Sequence, residues 1–288
     1  MRQVFLNYNG NIFTEDTPLF SANHSFFRYG NSLYETMLWQ NGNIRFLDYH
    51  IDRLKKSMKI LAFSDPSEVD AFFIKSKAEE LIRKNHMVGQ SVQIRLTIFR
   101  GEEGGFNPGN NKMNYLFQID HMLGQKRTVK RGLIVDLFTD VKKDISDISR
   151  LKMNNVLVHA LAEGYKQERQ VDEVLLLNNN GALCEAISSN IFVFYKDKLY
   201  TPAINQGCVE GVMRKIVMEM GEEEDIEVVE AEIDPDIMGV ADEIFCTNAV
   251  QGIQWVLGFK RKRYFNRISK LFQQKLQAKD KALREVME

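Results

Sequence analysis

A run of apolar residues, Val174-Leu175-Leu176-Leu177, leads into Asn178-Asn179-Asn180-Gly181. A short apolar run bounded by a turn cluster reads as a buried strand, here over 173–177. The turn delivers the chain into Glu185-Ala186-Ile187-Ser188-Ser189-Asn190-Ile191-Phe192, an acidic residue set between apolar stretches. A carboxylate there is costly to bury unless something cationic meets it. Taken alone, the octapeptide reads as a strand end whose glutamate is exposed in a turn.

The rest of the chain mixes strands and helices, so the expected class is α/β (mixed α+β). Asn9-Gly10 and Asn41-Gly42 are hairpin dipeptides, giving paired strands over 3–13 and again over 33–39 and 44–47. Ile51, Leu54, Met58 and Leu61 repeat at helical spacing over 48–61. A second helix is expected at 67–84, with Ser67 as its cap and Asp70 three residues on. Val92, Ile94, Leu96 and Ile98 alternate as a strand, and 113–119 reads as another. Gly101, Gly104, Gly105, Pro108 and Gly109 mark a loop between them. The polar stretch 121–130 divides the chain into expected domains at 1–120 and 131–288. In the second, strands are expected at 132–138, 190–195, 199–201, 226–230 and 243–247. A helix carries Val156, Leu157, Ala160, Leu161 and Tyr165 on one face. Gly211 opens another helix, to about Met220, and a last amphipathic helix covers 264–286 with Ile268, Leu271, Phe272, Leu276 and Leu283.

Composition narrows the function. The 288 residues carry a formal net charge of -1, which argues against a dedicated nucleic-acid binder. Lys260-Arg261-Lys262-Arg263 reads as a solvated approach to the last helix. Cys184, Cys208 and Cys246 are too few and too irregular for a disulfide framework or a zinc site, so no metal is expected. A reducing, cytoplasmic setting follows. The N-terminus lacks the long apolar run of a signal peptide, and no later stretch reads as a membrane span.

Three pieces in order carry a joint signature: Glu185 to Phe192, then Leu199-Tyr200-Thr201, then Val209-Glu210-Gly211-Val212-Met213-Arg214. Together they resemble the class IV aminotransferases, the fold-type IV pyridoxal phosphate enzymes. That family includes branched-chain and D-amino acid aminotransferases and 4-amino-4-deoxychorismate lyases. The resemblance runs over about 20–258. It implies two α/β domains, pyridoxal 5'-phosphate as cofactor, and a homodimer.

Such chemistry asks for a lysine, an acid for the pyridine nitrogen, an anion cradle and a pocket for the substrate carboxylate. Lys152, in Arg150-Leu151-Lys152-Met153-Asn154-Asn155, stands at the family's distance ahead of Asp172-Glu173-Val174-Leu175. By resemblance it is the catalytic Schiff-base lysine, with Lys142 and Lys143 as weaker rivals; a lone lysine at a helix start is otherwise a surface residue. Glu185 matches the carboxylate that keeps the ring nitrogen protonated, with Ala186 where relatives often have glycine. Val212 and Met213 match the positions whose backbone amides bind phosphate at a helix start. Arg53, in His50-Ile51-Asp52-Arg53-Leu54, matches the arginine that pairs with the phosphate, and Asn248 and Ala249 occupy a further phosphate-contact region.

On the substrate side, Tyr29-Gly30-Asn31-Ser32-Leu33-Tyr34-Glu35 is similar to a family segment, with Tyr34 as the carboxylate-side hydroxyl. Ser189 is a further substrate candidate. Arg95 aligns with the branched-chain aminotransferases and Arg100-Gly101 with the D-amino acid and lyase branches. Strand alternation puts Arg95 and Arg100 on opposite faces, and the sequence leaves both open. The balance falls to an aminotransferase acting on a branched-chain-like amino acid and a 2-oxo acid. Aminodeoxychorismate lyase is the alternative, and a catalytically inactive binding protein a remote third.

Overall fold

The computed structural model describes residues 3–100, 111–122 and 131–285. The expected loop at 101–109 and most of the expected linker lie outside the described residues, as does the side chain of Leu283. The chain divides into two compact units, Met1–Gly124 with Lys152–Asn155, and Gln125–Leu151 with Val156–Glu288. Lys152–Asn155, which chain order assigns to the second half, thus groups with the first unit.

The first unit runs β1 Phe5–Tyr8, β2 Asn11–Thr14, α1 Ser25–Tyr29, β3 Ser32–Gln40, β4 Asn43–Ile44, α2 Leu47–Ile60, α3 Ala71–Lys84, β5 Val92–Arg100 and β6 Met113–His121. Its described strands form one sheet in the order β2-β1-β6-β5-β3-β4, every neighbouring pair antiparallel. Asn9 (φ 49°) with Gly10 (φ 89°), and Asn41 (φ 54°) with Gly42 (φ 79°), turn the two short hairpins with both central residues left-handed. This is the backbone that matches strand twist in a two-residue loop. The alternating Val92, Ile94, Leu96 and Ile98 are all buried. Helix α2 buries Ile51, Leu54 and Met58 beside β3, and α3 buries Ile74, Ala78 and Leu81 beside β6. The cap of α3 differs from expectation. Asp70 Oδ1 accepts the Phe73 N–H at 2.7 Å, while Ser67 sits in a separate 3-10 turn begun by Pro66. Proline's fixed φ suits that first turn, and its ring breaks continuity with the helix beyond.

The second unit runs β7 Leu133–Lys143, α4 Leu157–Arg169, β8 Glu173–Asn178, β9 Leu183–Ala186, β10 Asn190–Tyr195, β11 Lys198–Pro202, α5 Val212–Glu223, β12 Val228–Ala231, α6 Ile237–Val240, β13 Glu243–Asn248, β14 Gly252–Phe259, β15 Lys262–Arg263 and α7 Arg267–Glu285. The described strands make a nine-stranded sheet, β12-β11-β10-β13-β14-β7-β8-β9, with β15 on β14. Pairing is parallel at β7–β8, β7–β14 and β11–β12. Strand β8 is buried at every position, as its unbroken apolar run requires. Strand β14, which no alternation in the sequence announced, is central and joins β13 to β7. Helix α4 packs by Val158, Ala162 and Tyr165 against Phe138, Val174 and Leu176. That corrects the expected face: Val156, Leu157 and Leu161 are 36%, 68% and 47% exposed. Helix α7 starts on a buried carboxylate, Glu243, whose oxygens accept the N–H groups of Ile268 at 2.8 Å and Ser269 at 2.6 Å. An anion there meets both the unpaired first-turn donors and the positive end of the helix dipole.

Candidate active site

In the first unit, the segment 152–155 is stitched to β3. The Tyr34 N–H donates to Lys152 O at 2.9 Å, the Asn154 N–H to Ser32 O at 3.3 Å, and Leu33 bridges Met153. The stitch fixes where the Lys152 side chain starts. Its Nζ stands 4.4 Å from the centre of the Tyr34 ring, and Arg95 Cζ stands 4.0 Å from the same centre. One electron-rich ring therefore holds two cations, each drawn to the ring's negative face. Arg95 Nη2 donates to Asn154 Oδ1 at 2.6 Å, and Asn154 Nδ2 donates to Ser32 Oγ at 2.7 Å. Lys152, Tyr34, Arg95, Asn154 and Ser32 form one polar cluster. Arg100 is not in it: its guanidinium lies over Phe63, 5.0 Å from the ring centre, and donates to Leu61 O beyond the end of α2. The two arginines have opposite parity on β5.

Glu35, next to Tyr34, points to the other face of β3 and is 1% exposed. Arg53 Nε donates to Oε1 at 2.8 Å and Nη2 to Oε2, the two-pronged match of guanidinium to carboxylate. His50 Nδ1 lies 2.7 Å from Oε2. Burial pushes the Glu35 carboxyl up, but Arg53 and His50 outweigh it and bring it down to about 2. Burial pushes His50 down against the pull of Glu35, so the imidazole is neutral and its contact is a hydrogen bond. Arg53, expected at a phosphate, thus has two donors on Glu35.

In the second unit, Glu185 is 3% exposed and lies in β9, which corrects the reading of an exposed turn residue. The cation that burial demands is Lys143 Nζ, at the end of β7 and itself 7% exposed. His159 Nε2, from α4, donates to the same oxygen, Oε1, at 2.9 Å, and the Val209 N–H donates to Oε2 at 2.7 Å. Burial raises the Glu185 carboxyl, yet Lys143 and the His159 hydrogen bond bring it down to about 2. Lys143 is raised, Glu185 overcoming its desolvation. The pair is therefore charged.

Just past Val209, α5 starts at Gly211. No side chain caps it, and Val212 and Met213, its first two residues, are buried. A β-carbon on Gly211 would lie 1.8 Å from Asn190 Oδ1 and so displace the Asn190 amide, whose Nδ2 donates to Val209 O at 2.8 Å. Asn248 closes the turn from β13 to β14: its Oδ1 accepts from the Val250 and Gln251 N–H groups. Its Nδ2 donates to Ser189 Oγ at 3.1 Å, beside Ala249. Cys184, Cys208 and Cys246 are buried free thiols, and burial pushes the Cys208 thiol up to about 12. Among the described residues no group of three or more His, Cys, Asp or Glu could hold a metal, and no helix is long and apolar enough to cross a membrane.

Lys143, read only as a weaker rival to Lys152, was not expected as the partner of Glu185, and His159 and Asn154 were not read as site residues. Lys143 could have been found, because a buried Glu185 demanded a cation and β7 is the parallel neighbour of β8 beside it. His159 and Asn154 left no signal of their own in the sequence.

The amino-transferase class IV family model matches residues 32–258. A putative branched-chain-amino-acid aminotransferase of Methanocaldococcus jannaschii is 29% identical over 235 residues, covering 78% of this chain and 77% of that protein. The aminodeoxychorismate lyase of Bacillus subtilis is 25% identical over 246 residues, 84% and 82% of the two chains. The match to an Arabidopsis thaliana branched-chain-amino-acid aminotransferase-like protein, 27% identical, covers 77% of this chain and 40% of that protein, less than half its length. The solved branched-chain amino acid aminotransferase of Escherichia coli superposes with a TM-score of 0.82 at 20% identity, covering 94% and 92% of the two chains.

Proposed function

The chain belongs to the class IV aminotransferases, a pyridoxal phosphate-dependent family, and on that premise we propose that it transfers the amino group of a branched-chain-like amino acid to a 2-oxo acid, with Lys152 as catalytic residue. The observation that carries the reading is the lysine held against Tyr34 and Arg95: an amine beside a phenol and a guanidinium suits a substrate that brings an amine and a carboxylate on one carbon. The residues fit the cofactor's demands. Glu185 is an anionic acceptor for a ring nitrogen. The uncapped start of α5 at Val212 and Met213 offers donors to an anion, a fit that Gly211 keeps clear of a side chain. Arg53 adds a cation and Asn248 with Ala249 a further contact; Tyr34, Arg95 and Ser189 serve the substrate. Of the two strand arginines, the network with Asn154 favours Arg95 over Arg100.

When bound, the cofactor supplies an electron sink for the carbon that loses its proton. Lys152 Nζ takes that α-proton and returns it elsewhere. Arg95 and Tyr34 bind the substrate carboxylate and aim the α-carbon at the amine. Glu185 holds the proton on the ring nitrogen.

Aminodeoxychorismate lyase is the second reading, favoured by the Bacillus subtilis relative. A panel decides: an amino acid with 2-oxoglutarate, scored for glutamate, against aminodeoxychorismate, scored for pyruvate and 4-aminobenzoate. Glutamate from leucine or valine supports the first and pyruvate the second; neither product defeats both. Lys152→Ala is expected to abolish turnover and the visible absorption of bound cofactor, and persistence of that absorption removes the lysine's assignment. The reading also carries a homodimer and a cytoplasmic location, the latter tested by fractionation.

A further inference from the structure

Glu185 collects its donors unevenly. Oε1 takes two, Lys143 Nζ and His159 Nε2, while Oε2 takes one, the Val209 N–H. A carboxylate accepts at about four lone-pair sites, so the one left over lies on Oε2. Lys143 alone balances the charge, so charge does not explain the imidazole. Nor is the ring held by a second bond, because its Nδ1 is buried and has no hydrogen-bond partner among the described residues. A buried ring nitrogen left unpaired is a cost, and among the described residues what offsets it is the ring's bond to Glu185. Besides the Val209 N–H, the titratable side chains that act on the carboxylate among the described residues are Lys143 from β7, His159 from α4, Cys184 from its own strand and Cys208 ahead of α5. Both thiols are held protonated by burial, which leaves Lys143 and His159 as the side chains that can set its orientation.

We propose that His159 is a positioning residue: with Lys143 it pins Oε1 of Glu185, so that Oε2 keeps its spare acceptor site for the ring nitrogen of the cofactor. The proposal rests on the reading of Glu185 as the ring-nitrogen acid. Its physical content is reach. The donor must extend as far as imidazole Nε2, and shape or polarity alone does not suffice.

The test compares His159→Gln, whose amide nitrogen stands in for Nε2, with His159→Asn, whose amide stops at the place of Nδ1. Glu185→Gln is the control. Each apoprotein is melted, titrated with pyridoxal phosphate for its dissociation constant, and scanned for the absorption of bound cofactor across pH. Gln is expected to bind like the wild type, and Asn about tenfold more weakly with a shifted absorption profile, at similar melting temperatures. Asn and Gln alike in affinity and spectrum would overturn the proposal, whether both match the wild type or both fail. A silent Glu185→Gln sinks the reading of Glu185 and this inference with it. A Glu185→Gln effect with no difference between the two His159 variants sinks the role of His159 alone.

Discussion

A buried carboxylate is stable only in the company it keeps, and Glu185 shows how much of that company is unstated in a sequence. Its ordinary value is 4.5 and its folded value about 2, so its pairing stabilises the fold above the ordinary value and is lost as pH falls toward 2. Lys143 works in the opposite sense: raised above 10.5, it contributes below that value and loses the contribution as pH rises past its folded value. Between those limits the pair is intact. Lys143→Ala leaves Glu185 buried with hydrogen bonds but no cation, and is expected to cost about 3–5 kcal/mol in denaturant unfolding at neutral pH. It should also bring acid unfolding on at higher pH, because the folded carboxyl is no longer held down. An unchanged midpoint and acid limb would show that the ion pair is not what stabilises this corner. The sequence showed that Glu185 was anomalous without naming its partner, since Lys143 lies 42 residues away and meets it only through the β7–β8–β9 register.

At the level of elements, local chemistry decided what could be read. The Asn-Gly turns and the alternation over 92–100 needed no tertiary information, because a two-residue hairpin and a half-buried strand impose their own pattern. Helix α3 was read with the wrong cap because Ser67 and Asp70 both suit one, and Pro66 gives Ser67 a turn of its own. Asp70→Ala should therefore cost about 1 kcal/mol of stability, while Ser67→Ala stays within about 0.5 kcal/mol. Thermal or denaturant midpoints of the two variants separate them, and equal losses would mean that neither caps. Helix α4 was misjudged by one stripe. Val156, Leu157, Ala160, Leu161 and Tyr165 form an apolar set at helical spacing, but of these only Tyr165 packs on the sheet, which takes Val158 and Ala162 beside it. Which of two overlapping stripes faces inward is settled by the neighbour, not by the helix. Strand β14 went unread because Gly252, Gln254 and Gly258 interrupt its apolar residues.

Over the whole chain, two compact units account for every described element, each with its own sheet. The family resemblance, carried by motifs in both halves, made the architecture legible well before any single side-chain contact was. The homodimer it implies predicts a light-scattering mass of about twice 33.4 kDa at micromolar concentration, and a mass of one chain would refute it. The joining of 152–155 to β3 bears on the order in which the protein can be made. A ribosome that has released the first 124 residues has not yet released the last piece of the unit they belong to. That unit stays unfinished until Asn155 clears the exit tunnel, by which time β7 of the other unit is already outside, so the second half has begun to emerge before the first can be completed.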